Sequence, residues 1–211
     1  PRVSGLLSSG DYKAVNKMHE FSFLIYNLVI FPIIAGLLVV NKDFVSFFLG
    51  KDFQAANIAI AIMVFRMFFI GWTNIMGIQI LIPHNKHREF MLSTTIPAVV
   101  SVGLNLLLIP PFGFVGASIV SVLTEALVWF IQLYFSLPYL KEVPILESMA
   151  KIVCASAMMY GLLLSAKPFL HFPPTLNVLV YAVLGGLIYL LAILVLKVVD
   201  VKELKQIIGK N

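Results

Sequence analysis

Charge is what this chain has least of. Only 12% of its 211 residues are Asp, Glu, Lys or Arg, about half the share in an average soluble domain. Acidic residues are the scarcer kind, 10 against 15 basic ones. Cysteine is nearly absent. Cys154 stands alone, which excludes an internal disulfide framework and leaves the redox compartment open. No glycine-rich phosphate loop of the Walker type occurs, so nothing points to ATP hydrolysis. No basic-plus-apolar leader with a cleavage site precedes the first apolar run, and the first residue is Pro1 rather than Met, so the expectation is a segment of a longer protein.

Apolar side chains fill the space that charge leaves. They make up 60% of the residues, and the mean hydropathy is +0.99. A soluble domain of this length cannot bury so much apolar surface, and disorder, collagen and coiled coil are excluded by the same composition. The expected fold class is all-α, a polytopic transmembrane helical bundle. A bilayer core of about 30 Å needs about 20 apolar residues per helix. Six runs meet that length, at 21–40, 57–82, 92–109, 114–137, 149–166 and 176–196. Asn41-Lys42-Asp43, Pro83 to Glu89, Pro110 to Gly113, Pro138 to Pro144 and His171 to Thr175 separate them. Strands are excluded because the runs are too long and do not alternate.

Six crossings place both termini on one side, and basic residues choose it. With a cytoplasmic N-terminus, eleven Lys and Arg residues fall inside, among them Lys13, Lys17, Lys86, Arg88 and Lys141. Lys42, Lys51 and Lys167 fall outside, and Arg66 lies within a span. Both termini are therefore expected in the cytoplasm, and the protein in the cytoplasmic membrane. The net charge of +5 follows from this bias and from affinity for anionic membrane lipids; no nucleic-acid partner is implied. Residues 199–211 suit a short interfacial helix, and 11–20 resemble one more weakly.

Two ionisable residues stand near mid-membrane, where charge is costly and usually functional: Arg66 and Glu125. Both of their spans run from outside to inside, so the two lie at similar depth. Around Glu125 a stripe of Ser118, Ser121, Gln132 and Ser136 recurs at helical spacing. Thr94, Ala98, Ser101 and Asn105 form a second stripe, and Ala55, Ala59, Arg66, Thr73 and Gly77 share a third face. Such faces avoid lipid. They pack against helices or line a cavity, and Arg66 and Glu125 either neutralise each other or face substrate. Pro32 and Pro97 free the carbonyls of Leu28 and Ser93 and should kink their helices. The last two spans carry no central charge and read as peripheral, with Gly185-Gly186 allowing close packing. No carboxylate pair or metal-ligand cluster is visible. His19, His84, His87 and His171 read as scattered among loops, and the spacing of His84 and His87 suits a solvated loop better than a metal. No catalytic residue, metal or cofactor is expected.

Several motifs together resemble one family. Pro1-Arg2-Val3-Ser4, Gly10-Asp11, Pro32 with Gly36, and Leu49-Gly50-Lys51-Asp52-Phe53-Gln54-Ala55-Ala56 come first. Gln79-Ile80-Leu81-Ile82-Pro83, Asn105 with Ile109-Pro110, Phe112-Gly113-Phe114-Val115-Gly116-Ala117 and Glu125 follow. Over residues 1–140 this is similar to the C-terminal half of Wzx-type polysaccharide-biosynthesis flippases of the multidrug/oligosaccharidyl-lipid/polysaccharide exporter superfamily. The resemblance implies a cytoplasmic segment at 1–20, a four-helix part of the C-terminal lobe at 21–140, two peripheral helices at 141–198, and an interfacial tail at 199–211. It implies an N-terminal lobe of the same protein as partner. Its substrate would be a polyprenyl-pyrophosphate-linked glycan, moved by alternating access and not by an enzyme reaction. Arg66, Thr73, Asn105, Ser118, Ser121, Glu125 and Gln132 are then the candidates for substrate cavity or coupling. A cation-coupled multidrug extruder of the same superfamily is the nearest alternative, and a polyprenol-dependent membrane glycosyltransferase a more distant one.

Overall fold

The structure, a computed structural model, describes residues 2–170 and 172–198, without the side chains of Arg2 and Lys51. The expected interfacial helix at 199–211 lies outside them. Among the described residues every regular element is helical. They are α1 (Arg2–Ser8), α2 (Tyr12–Phe48), α3 (Ala56–Met63), α4 (Arg66–Asn74), a π-helix (Ile75–Leu81), α5 (His87–Leu140), α6 (Ile145–Ala166) and α7 (Pro174–Val195), with single 3₁₀ turns at Lys51–Phe53 and Lys167–Phe169. The protein is a polytopic helical membrane bundle: Tyr12–Phe48, Ala56–Leu81, His87–Leu140, Ile145–Phe169 and Pro174–Val195 are each long and apolar enough to cross.

α5 supplies two crossings. A straight helix of 54 residues would run for about 80 Å, far beyond the bilayer. Pro110 and Pro111 withhold their amides, and Gly113 takes φ 54°, ψ −131°, a conformation open only to glycine. The chain reverses there. Gly116 then sits so close to the Leu108 carbonyl that a Cβ would overlap it. Further down, Gln132 Nε2 donates to Ser93 Oγ across the hairpin at 3.2 Å. Six crossings result, as the apolar runs imply.

Other boundaries differ from expectation. Residues 11–20 are the first turns of α2, opened by Asp11 Oδ1 accepting from the Ala14 amide at 3.0 Å. The break expected at Asn41-Lys42-Asp43 is absent, and α2 continues to Phe48. Those residues are polar but helix-compatible. The stop is Gly50, whose φ of 94° and amide bond to the Val45 carbonyl at 3.1 Å close the helix. The second crossing is not one straight helix. It tightens into 3₁₀ bonds at Val64–Phe65, with Met67 N donating to Val64 O at 3.2 Å, and widens into the π-helix at Ile75.

The chain forms two compact units. The first holds residues up to Tyr26 with Ala55–Ile145; the second holds Asn27–Gln54 with the residues from Leu146 on. The sequence reading grouped the whole first span with spans two to four; in the structure its residues from Asn27 on belong to the second unit. Its second half packs with the last two spans: Val39 and Val40 share a buried core with Ala155, Met159, Leu163, Tyr181 and Tyr189. The reason is visible at Pro32. Its missing amide frees the Leu28 carbonyl, and Tyr189 Oη donates to that carbonyl at 2.9 Å. α2 runs on through Pro32 without ending. A Cβ at Gly185 would sit against Leu163 and Met159, while one at Gly186 would meet nothing within 4 Å. Tyr189→Phe should lower stability by about 1 kcal/mol, because it strands a partly buried acceptor. The loss should shrink in a Pro32→Ala background, where residue 32 regains an amide for Leu28. Thermal unfolding of the four proteins in detergent measures the coupling, and additive losses would refute the link.

The first unit centres on aromatic rings. Phe23 meets Trp72 at 4.7 Å, and Trp72 and Phe68 each meet Trp129 at 6.1 Å. Gly71 leaves room for the ring of Tyr26, whose hydroxyl donates to the Met67 carbonyl.

Candidate functional site

The two mid-membrane charges meet. Arg66 opens α4, immediately after the 3₁₀ turn; Glu125 stands on the second arm of α5. Arg66 Nη2 donates to Glu125 Oε1 at 2.8 Å and Nε donates to the same oxygen at 3.3 Å. Both donors fall on Oε1, so Oε2 keeps its acceptor capacity. The pair is neither buried nor free: the side chains are 37% and 20% exposed. That exposure opens onto a pocket of about 240 Å³ lined by Arg66, Ser101, Asn105, Ser121, Thr124 and Glu125, with Ala117 and Val120.

The folded hairpin creates this lining. It sets Ser101 and Asn105 on the first arm of α5 opposite Ser121, Thr124 and Glu125 on the second. Hydroxyl and amide groups on these helices partly satisfy themselves by back-bonding. Asn105 Nδ2 donates to Ser101 O at 2.8 Å, and Thr124 Oγ1 to Val120 O at 2.8 Å. Each keeps acceptor sites for a ligand. The pocket thus joins one ion pair, four neutral polar side chains and an acceptor oxygen. It can hold a hydroxyl-rich or anionic group and can exchange a partner on either charge.

Of the seven candidates from sequence, Arg66, Asn105, Ser121 and Glu125 line the pocket. Ser118 is buried beside them, donating to its own helix at Phe114 O. Thr73 is buried and bonds Ile70 O at 2.9 Å. Gln132 is buried behind Gly77, bonded to Ser93. These three face protein, not the pocket. Thr94 and Ala98 of the second stripe are exposed on the chain. Thr124 and Ser101 complete the lining. Ser101 belonged to a recognised stripe; Thr124 adjoins Glu125 and had no periodic signal of its own.

The histidines also need correction. His19 is not in a loop: it lies in α2 and is fully buried. His84 rests its ring on Tyr139, centroids 3.9 Å apart. In the same turn Lys86 bonds Glu89 at 2.9 Å, and this bond holds the Lys86 ammonium above its ordinary range.

No family model and no solved structure matches the chain. It is similar to the "Uncharacterized membrane protein MJ1068" of Methanocaldococcus jannaschii, at 25% identity over 214 residues. The alignment takes in 100% of this chain and 41% of that protein, so the chain spans less than half the length of the relative. Fold and similarity together identify the chain as a membrane-embedded, multi-pass helical protein.

Proposed function

We propose that the chain is part of a membrane flippase that moves a polyprenyl-pyrophosphate-linked glycan across the cytoplasmic membrane by alternating access. One observation carries this reading: the Arg66–Glu125 pair set in a pocket of hydroxyls and amides at mid-span. Sugar hydroxyls exchange hydrogen bonds with Ser, Thr and Asn. A pyrophosphate competes with Glu125 for the guanidinium, whose fork suits phosphate oxygens. A structural ion pair alone would need no polar cavity beside it. The other wall of the cavity belongs to the N-terminal lobe that the motif resemblance implies, and the length of the relative leaves room for such a lobe.

The test is translocation of a fluorescent polyprenyl-pyrophosphate oligosaccharide in vesicles containing the intact protein. Wild type should expose the lipid to an external quencher or glycosidase faster than empty vesicles, and Arg66→Ala should not. Equal rates in wild type and empty vesicles would end the proposal. The free Oε2 of Glu125 favours a second reading, cation-coupled extrusion of drugs, in which that oxygen takes up a proton or sodium ion. Export of an organic cation driven by an ion gradient, without glycolipid movement, would select it.

Orientation is tested separately. Asn85→Cys in a Cys154→Ser background should resist a membrane-impermeant maleimide added outside intact cells and react after permeabilisation. Reaction without permeabilisation would invert the topology.

A further inference from the structure

A second polar cavity lies wholly within the first unit, at the end that carries Lys13, Lys17, Lys86 and Lys141. Its volume is about 560 Å³, and Asn16, His19, His84, Tyr139, Lys141 and Glu142 are among its walls. That size is within the usual range of small-molecule sites. The start of α2, the turn after the π-helix and the end of α5 meet there.

The hydrogen bonds fix what this cavity offers. His19 Nε2 faces the Gln79 carbonyl at 3.2 Å. A carbonyl only accepts, so Nε2 carries the hydrogen, and in the neutral ring Nδ1 is left as a lone pair. That Nδ1 is buried and has no partner, in a residue with no exposure at all. His84 is set the same way: Nδ1 faces the Ile80 carbonyl at 2.7 Å, so Nε2 is the lone-pair nitrogen. Glu142 Oε2 accepts from Asn16 Nδ2 at 3.0 Å and retains its other acceptor sites. The cavity is therefore rich in acceptors, and it has a stacked His84–Tyr139 surface beside them.

An orphaned buried acceptor calls for a donor. An anion is a poor occupant, since it would meet two imidazole lone pairs and a carboxylate. A metal ion is a poor one too, for no group of three His, Cys, Asp or Glu residues among those described is arranged to hold one. Lys141 and Glu142 balance each other in charge, which favours a neutral ligand over a cation. The remaining class is a neutral polyol: its hydroxyls donate to nitrogen and carboxylate, and its C–H faces lie on aromatic rings.

We propose that this cavity is a glycan subsite, holding sugar units of the substrate at the basic end of the bundle before translocation. It rests on the flippase reading and adds to it a second contact, distinct from the Arg66–Glu125 pocket.

The experiment uses the intact protein in nanodiscs, with maltotriose and chitotriose as probes and saturation-transfer NMR as readout. Wild type should bind at least one probe. Glu142→Gln and His84→Phe should each weaken binding at least tenfold; His84→Phe keeps a ring on Tyr139 while deleting the lone pair. Ser165→Ala, exposed on α6 and lining neither polar pocket, should bind the probes as wild type does. Unchanged binding in both cavity variants, or no binding of either probe by wild type, overturns the subsite. Preference for tetraethylammonium, or displacement of the sugar by zinc, overturns it in favour of a cation site. Each variant's unfolding midpoint is recorded, and binding lost only in a variant that has lost its fold is judged on the other. Sugar bound here without glycolipid movement would fail the flippase reading, while movement with no sugar bound here would fail the subsite alone.

Discussion

Arg66→Ala and Glu125→Ala should each cost about 2–3 kcal/mol of stability, and the double variant should recover most of that loss. Each single change leaves one charge at mid-span without its partner, and on insertion scales an isolated charge there costs about 2.5–3.5 kcal/mol. Removing both deletes the problem, as for other paired charges in low dielectric. Unfolding midpoints in detergent give the three values. Translocation should not follow the same pattern. If the pair binds substrate or couples its movement, the double variant folds and does not transport. Arg66→Lys separates charge from geometry. A lysine keeps the charge but cannot set two donors on Oε1 as Nη2 and Nε do at 2.8 and 3.3 Å. Partial activity in Arg66→Lys would assign the role to charge, and loss equal to Arg66→Ala would assign it to the guanidinium fork. Full transport by the double variant would reduce the pair to a structural one.

The second large effect is expected at the hairpin of α5. Gly116→Ala should destabilise by about 3 kcal/mol, at the upper end for overpacking, because the added Cβ meets the Leu108 backbone rather than a side chain that can turn away. Gly103→Ala, one arm away, has nothing within 4 Å of its Cβ position. The same substitution there should stabilise, by about 0.5–1 kcal/mol, through helix propensity. Opposite signs for one chemical change at two glycines are the result to look for in thermal unfolding. The consequence also reaches the site. A hairpin that cannot close cannot hold Ser101 and Asn105 against Ser121 and Glu125, so on the proposed flippase reading Gly116→Ala should lower translocation as well. Destabilisation at Gly103 equal to that at Gly116 would show that the arms do not close at Leu108.

Much of this architecture is written in runs of apolar residues, because bilayer thickness fixes how long such a run must be. The six crossings and the similar depth of Arg66 and Glu125 come from length alone; that the two side chains meet does not, and the sequence left pairing and substrate contact equally open. What the sequence did not disclose depends on partners distant in the chain. Pro32 announces a free carbonyl at Leu28 but not that Tyr189 takes it, so the packing of the second half of α2 against the last two spans is not legible in the sequence. Gln132 falls on the Glu125 stripe by periodicity, yet Ser93 and Gly77 draw it behind the helix. Thr73 shares a face with Arg66 on paper and is buried in the fold. His19 sits in a stretch polar enough to look like a loop. Its burial depends on the carbonyl of Gln79, which is left open because Pro83, four residues on, has no amide to donate to it.

That carbonyl lies in the π-helix, where Ile82 N reaches back five residues to Gly77 O at 3.1 Å. A turn of this kind holds one residue more than an α-helical turn over the same rise. Most membrane spans cannot lose a residue without rotating everything that follows by about 100°. This one carries a spare. Deleting a single position between Ile75 and Leu81 would let the span relax to α-helix with Pro83 and His84 still in register. The Gln79 oxygens would no longer reach His19 and Ser22, which they meet at 3.2 and 2.8 Å. Natural length variation in this protein and its relatives is therefore expected to concentrate in these seven positions, and where it occurs the ring of His19 loses the carbonyl that fixes its tautomer.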